Sequence, residues 1–227
     1  IDKHNGSENF AAGFRDSHKA KHILEVSLKT DIPGVSRAFV KGDSLYLSGK
    51  PFMKISEVKV RGAHNLGNIL AASAAAFLLG ISPKEIRGAV QKFQGLPHRL
   101  ERVSEINNVS FYNDSASTNP DTTIAALRSF EEPIILIAGG SEKFVRYGML
   151  GEEIIHRTNV KSVILMGETA KRIEEAIDKA NARLKRKAPL EVIKAENYQE
   201  AFMAAKLLAQ AGDVVLLSPA SASFDMF

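Results

Sequence analysis

The chain has 227 residues, 44% hydrophobic and 25% charged, with 16 Gly, 8 Pro and a net charge of +4. That composition excludes disorder and fibrous folds, and the length accommodates one large domain or two small ones. With no Cys, disulfides, thiolate metal sites and cysteine nucleophiles are excluded, and a reducing, cytoplasmic setting is expected.

The start shows neither the basic nor the apolar region of a secretory signal and lacks an initiator Met, while the end stops on Phe227 straight after an apolar run. A fragment cut at both ends is expected. Over 8–20 the pattern reads as a helix, and over 22–28 as an alternating strand. Lys41-Gly42-Asp43-Ser44 then turns a hairpin between strands over 37–40 and 45–47, and Pro51 excludes a central-sheet position, so these strands belong at a sheet edge. Helices are predicted over 66–79, ended by Gly80, and from Pro83 to Phe93, with Ser82 as N-cap and Glu85 at the third position. The two should pack as an antiparallel pair. The near-apolar run 69–81 falls short of the ~20 residues of a membrane span, so no membrane association is expected.

Gly95-Leu96-Pro97 punctuates the end of that pair, which places a domain boundary within 94–99. Beyond it, 100–106 and 109–113 flank an Asn107-Asn108 turn and read as a β-hairpin. Strands over 134–138, 162–166, 190–194 and 214–218 then alternate with helices over 149–158, 169–187 and 198–211. Such alternation implies an α/β fold with a mostly parallel sheet, whose ligands bind outside the carboxyl ends of the strands. Those ends are Asn113-Asp114, Gly139-Gly140, Gly167 and Ser218-Pro219. The Lys- and Arg-dense stretch 171–187 is interrupted by Glu174, Glu175 and Asp178 and carries no interleaved aromatics. It reads as a solvated helix face, with small anions rather than nucleic acid as partners.

Four segments carry candidate chemistry. In Gly62-Ala63-His64-Asn65-Leu66-Gly67-Asn68 the Asn amides can pair with an adenine, or Asn65 can be a plain N-cap. In Leu96-Pro97-His98-Arg99-Leu100-Glu101 the guanidinium can clamp a phosphate, or simply pair with Glu101. Tyr112 to Asp121 (YNDSASTNPD) joins a strand end to a helix with Pro120 at its first position, where N–H groups attract carboxylate or phosphate. Asn119 as N-cap explains part of that loop but leaves Asp114 beside three hydroxyls. Finally, Gly139-Gly140-Ser141-Glu142-Lys143 and the loop from Ser218 to Ser223 both follow strands on one sheet edge, where Lys143 supplies a positive charge. No Gly-x-x-x-x-Gly-Lys-Ser/Thr loop, His-Glu-x-x-His or Gly-x-Ser-x-Gly occurs.

Taken in order, GAHNLGN, LPHRLE, YNDSASTNPDTTIAAL and LLSPASASFDMF resemble the bacterial Mur ligases, ATP-dependent enzymes that extend the peptide of the cell-wall precursor. The likeness runs from about Lys21 to Phe227, weakly before Arg61, and is strongest to the branch that adds D-glutamate. It implies that 1–94 is the latter part of a central ATP-binding domain and 95–227 most of a Rossmann-like C-terminal domain lacking its last helix. In that family ATP and magnesium activate the carboxylate of UDP-N-acetylmuramoyl-L-alanine as an acyl phosphate, which the amine of D-glutamate then displaces.

The resemblance further implies that Asn65, Asn68, His98, Arg99 and Asp114 bind ATP, and that Thr118, Lys143, Ser223 and Phe224 contact D-glutamate. The phosphate loop, the metal ligands and a carbamylated Lys would lie before residue 1, so the fragment alone should be inactive, and a monomer is expected. Ala116 stands where many relatives carry Lys, and Phe144 where they usually carry Gly. The alternatives are a sibling ligase, a folylpolyglutamate synthetase-like ligase, and a nucleotide-binding module without chemistry.

Overall fold

The computed structural model describes residues 25–27 and 37–222, so the helix expected over 8–20 and most of the strand expected over 22–28 lie outside the described residues. The chain divides into two compact units, 1–94 and 95–227.

In the first unit a four-stranded sheet runs in the order β1 (Glu25–Ser27), β2 (Arg37–Lys41), β3 (Ser44–Leu47), β4 (Lys50–Lys54). The Gly42-Asp43 turn pairs β2 and β3 antiparallel, with Lys41 opposite Ser44. Strands β2 and β3, expected at a sheet edge, are instead the two inner strands; it is β4, which contains Pro51, that forms the edge, where a residue without an N–H is tolerated. Two helices cover this sheet, α1 (Ala63–Leu78) and α2 (Pro83–Lys92). Ser82 caps α2 with a reciprocal Glu85 bond, a pairing typically worth about 1 kcal/mol. Leu45, Leu47, Phe52 and Met53 from the strands meet Ile69, Leu70, Ala74 and Ile86 from the helices in one core.

The second unit holds a six-stranded sheet in the order β5 (Glu101–Ile106), β6 (Val109–Asn113), β10 (Val214–Leu217), β7 (Ile134–Gly139), β8 (Val160–Met166), β9 (Glu191–Lys194). Only β5 is antiparallel; every other neighbouring pair is parallel. The β5–β6 turn puts Asn107 and Asn108 at φ 52° and 60°, the left-handed pair that a tight hairpin needs and Asn tolerates. All six residues of β7 are buried, as expected for a central strand covered on both faces.

On one face α3 (Pro120–Leu127), α4 (Gly148–His156) and α5 (Ala170–Leu184) supply Ile124, Leu127, Leu150, Ile154, Ile173 and Ile177 to the core. On the other, α6 (Tyr198–Leu208) packs Ala201 and Ala205 against Ile135, Ile137, Ile164 and Val215. The run over 171–187 departs from a wholly solvated face at Arg186, which is half-buried beyond the end of α5. Its guanidinium donates to the carbonyls of Ile154, Arg157 and Val160 at 2.8, 2.7 and 2.6 Å, because a planar fork can serve several helix-end acceptors at once. Burial pushes its pKa down.

Candidate functional site

Parallel pairing brings the carboxyl ends of β6, β10 and β7 side by side, with Leu217 opposite both Asn113 and Ile137. The loops that leave these ends are stitched together by two buried polar clusters. Asp114, 4% exposed, anchors the first. Its Oδ1 accepts the Leu100 N–H at 3.1 Å, and its Oδ2 accepts the hydroxyls of Ser117 and Ser218 at 2.6 and 2.7 Å. Ser218 Oγ also lies 3.0 Å from Thr123 Oγ1, and the Ala220 N–H reaches the Ser117 carbonyl at 2.9 Å. A carboxylate can be buried here because three donors replace its water.

Thr169 anchors the second cluster. Its Oγ1 accepts the Gly140 N–H at 3.0 Å and lies 2.9 Å from Ser221 Oγ, which in turn lies 2.8 Å from the buried Tyr147 hydroxyl. Gly140 is required: a Cβ there would stand 2.2 Å from the Ala222 carbonyl oxygen, across a bridge in which the Ser141 N–H donates to that oxygen. The Ser141 hydroxyl is enclosed and has no hydrogen-bond partner among the described residues. Downstream, Glu142 is ion-paired to Arg172 and accepts the Phe144 N–H at 2.5 Å. The Arg172 bond is the main reason that the Glu142 carboxyl is held below the usual carboxylate range. Arg172 donates its other nitrogen to the Val145 carbonyl at 2.6 Å and stacks over the Tyr147 ring at 5.3 Å. The 140–147 segment is thereby fastened at both ends, with Lys143 exposed between.

Of the residues singled out from sequence, Asp114, Thr118 and Lys143 lie on this one edge, in the loops after β6 and β7. Thr118 is half-buried, directly before Asn119, which caps α3 by accepting the Thr122 N–H at 3.0 Å. His98 is exposed at φ 64°; its N–H donates to Glu101, its carbonyl accepts the Ala116 N–H, and its Nδ1 accepts from Asn113 Nδ2 at 2.9 Å. Glu101 therefore bonds His98 rather than the Arg99 side chain, because the backbone doubles back between two left-handed residues, His98 and Leu100. Asn65 and Asn68 belong to the other unit.

Asn65 is not an N-cap. Helix α1 begins earlier, with Gly62 as the capping residue, so Asn65 falls in the first turn and donates to the Arg61 carbonyl at 2.7 Å. Asn68 faces its oxygen at 3.4 Å. Ser223 and Phe224 lie outside the described residues. The residues that sequence reasoning missed are Tyr147 and Thr169, which meet Ser221 of the singled-out 218–223 loop. Thr169 had a signal, a hydroxyl residue at a strand-to-helix junction, whereas Tyr147 had none. Among the described residues no group of three His, Asp or Glu is placed to hold a metal ion, and no helix is long and apolar enough to cross a membrane.

Comparison with known proteins agrees with this architecture. The domain described as "Mur ligase, glutamate ligase domain" matches residues 98–221. The UDP-N-acetylmuramoylalanine-D-glutamate ligase of Clostridium kluyveri is 41% identical over 189 residues, covering 83% of this chain and 40% of that protein. The chain thus spans about two fifths of the length of that curated relative. The UDP-N-acetylmuramate-alanine ligase of Thermotoga maritima shares the fold with a TM-score of 0.58 at 19% identity, over 82% of this chain and 45% of that one. The folylpolyglutamate synthase of Mycobacterium tuberculosis, solved with ADP, does so with a TM-score of 0.55 at 18% identity, over 79% of this chain and 43% of that one. A glutamate-ligase domain matched over more than half of the chain, on a mostly parallel sheet with its polar loops gathered at the strand tips, makes this chain a member of the Mur ligase family.

Proposed function

We propose that this chain is the acceptor-binding part of an ATP-dependent, cytoplasmic ligase that joins D-glutamate to UDP-N-acetylmuramoyl-L-alanine in peptidoglycan precursor synthesis. The observation that carries this reading is the single edge on which the loops after β6, β7 and β10 meet, with Lys143 exposed and Thr118 half-buried beside loops that Asp114 and Thr169 hold in place. D-glutamate presents two carboxylates and one amine. Lys143 provides a cation and Thr118 a hydroxyl beside a helix start, and Ser223 and Phe224 are assigned to the same acceptor.

The 41% identical relative supports the choice of D-glutamate among family substrates. Asp114 and Thr169 position these loops from within, so that the acceptor's amine is presented without reorganisation at the moment of attack, which is where alignment lowers a barrier. Asn65, Asn68, His98 and Arg99 are assigned to the nucleotide: Asn68, His98 and Arg99 are exposed, and Asn65 keeps its carbonyl oxygen turned toward Asn68. Magnesium would supply charge neutralisation on the phosphates when bound.

The test is phosphate release from ATP in the presence of magnesium, the uridine substrate and D-glutamate. The chain alone should release none. Placed in one reading frame behind a Gly-Lys-Thr phosphate-loop domain, it should release phosphate only with D-glutamate. Equal release with a diamino acid would assign it to a sibling ligase.

A further inference from the structure

We propose that the groove between α4 and α5 is a second binding site, for a small multivalent anion of the phosphate class, separate from the strand-tip edge. The groove exists because the two helices touch at Gly151, where a Cβ would lie 2.4 Å from the Ala176 carbonyl oxygen. Beside that crossing the walls carry little side chain at Gly148, Ala176 and Ala180, which leaves a cleft of about 460 Å³. That volume lies within the roughly 300–1,000 Å³ of small-ligand sites.

Long cationic side chains rim it. Arg172, Lys179 and Arg183 recur on one face of α5, while Ile173 and Ile177 on its other face are buried in the core. Arg146 joins them from the loop before α4. Two carboxylates, Glu152 and Glu175, also line the cleft. Glu152 is taken by Arg183 at 2.6 Å, and Arg172 by Glu142. Arg146 and Lys179 have no ion-pair partner among the described residues.

Like charges held together in a concave wall concentrate anions, and a ligand with at least two negative charges can bridge Arg146 and Lys179 where a single carboxylate cannot. The stretch that composition marked as basic is thus divided: Arg186 is consumed by backbone carbonyls, whereas Arg172, Lys179 and Arg183 face one cleft. The floor of the groove also communicates with the strand tips. Tyr147, beneath Arg172, bonds Ser221, and an anion that draws Arg172 from Glu142 loosens the segment carrying Lys143.

Pyrophosphate is the probe, titrated into this chain at neutral pH and low salt with amide shifts as the readout. Saturable shifts are expected at Gly148, Ala176 and Lys179, weakening as salt is added. The double variant Arg146→Gln/Lys179→Gln should weaken binding by about tenfold or more, the loss of two charge-assisted contacts. Both residues are exposed, and Lys179→Gln alone should give a smaller loss in the same direction. An unchanged affinity in the double variant overturns the proposal, as does failure to saturate at tens of millimolar. Loss of binding in Lys143→Gln but not in the double variant would place the anion at the strand tips and overturn it equally.

Discussion

Replacing Asp114 by Ala removes the acceptor that joins three parts of the site. Leu100 N–H, at 3.1 Å, is fixed by its backbone and loses its partner inside the fold. Ser218 can fall back on Thr123, 3.0 Å away, while among the described residues Ser117 has Asp114 as its one bonded side-chain partner. Bonds to a carboxylate contribute about 1.5–3 kcal/mol each and an orphaned buried donor costs about 1–3, offset by no longer burying a charge; the net loss is about 3–5 kcal/mol. For a unit of this size, 1 kcal/mol moves the midpoint by about 3–5 °C, so Asp114→Ala should melt roughly 10–20 °C lower. Asp114→Asn keeps an oxygen for Leu100 and asks the two hydroxyls to turn and accept, at about 1–2 kcal/mol for exchanging charge-assisted for neutral hydrogen bonds. Circular dichroism melts and urea titrations of the three proteins, with hydrogen exchange at the Leu100 amide, measure this. An Asp114→Ala protein within about 1 kcal/mol of the parent would refute the bracket reading.

Further outcomes follow from the same geometry. Phe144 is 88% exposed and held at φ 55°, so Phe144→Gly should raise stability by about 0.5–1 kcal/mol in urea titration, relief of left-handed strain exceeding the entropy of Gly; a loss of stability would contradict it. Because Arg172 depresses the Glu142 pKa, this pair's contribution is present above the ordinary Glu range near 4.3 and fades as pH falls through the lower folded value. A carboxyl NMR titration should show that midpoint rising in Arg172→Gln; an unmoved midpoint removes Arg172 as the cause. Arg186→Ala should cost about 2–4 kcal/mol by orphaning buried carbonyls, and Arg186→Lys should recover less than half, since an ammonium lacks the fork. In a restored ligase, Lys143→Ala should raise the KM for D-glutamate, and an unchanged KM would take Lys143 out of the site.

Local elements were legible because their signals are local. The Ser82-Pro83-Glu85 start, the Asn107-Asn108 turn and the Asn119 cap each appear where the residue types require them. Strand β4 was missed because Pro51 reads as a breaker, although an edge position tolerates it. The placement of β10, last of the described strands, between β6 and β7 depends on long-range pairing that no periodicity carries. The same holds for the site. Asp114 among hydroxyls was visible, but of its two hydroxyl partners one, Ser218, lies far along the chain, and Tyr147 reaches Ser221 across a comparable span. The N-cap alternative for Asn65 failed because Gly62, at φ 92°, starts the helix in a conformation that side chains disfavour.

The most direct test of the acceptor reading is a D-glutamate titration of this chain followed at the amides of Thr118, Gly140 and Lys143. Saturable shifts are expected at all three, absent with L-lysine and weakened in Lys143→Ala. Saturation that leaves these amides unmoved, or equal shifts with L-lysine, would contradict it.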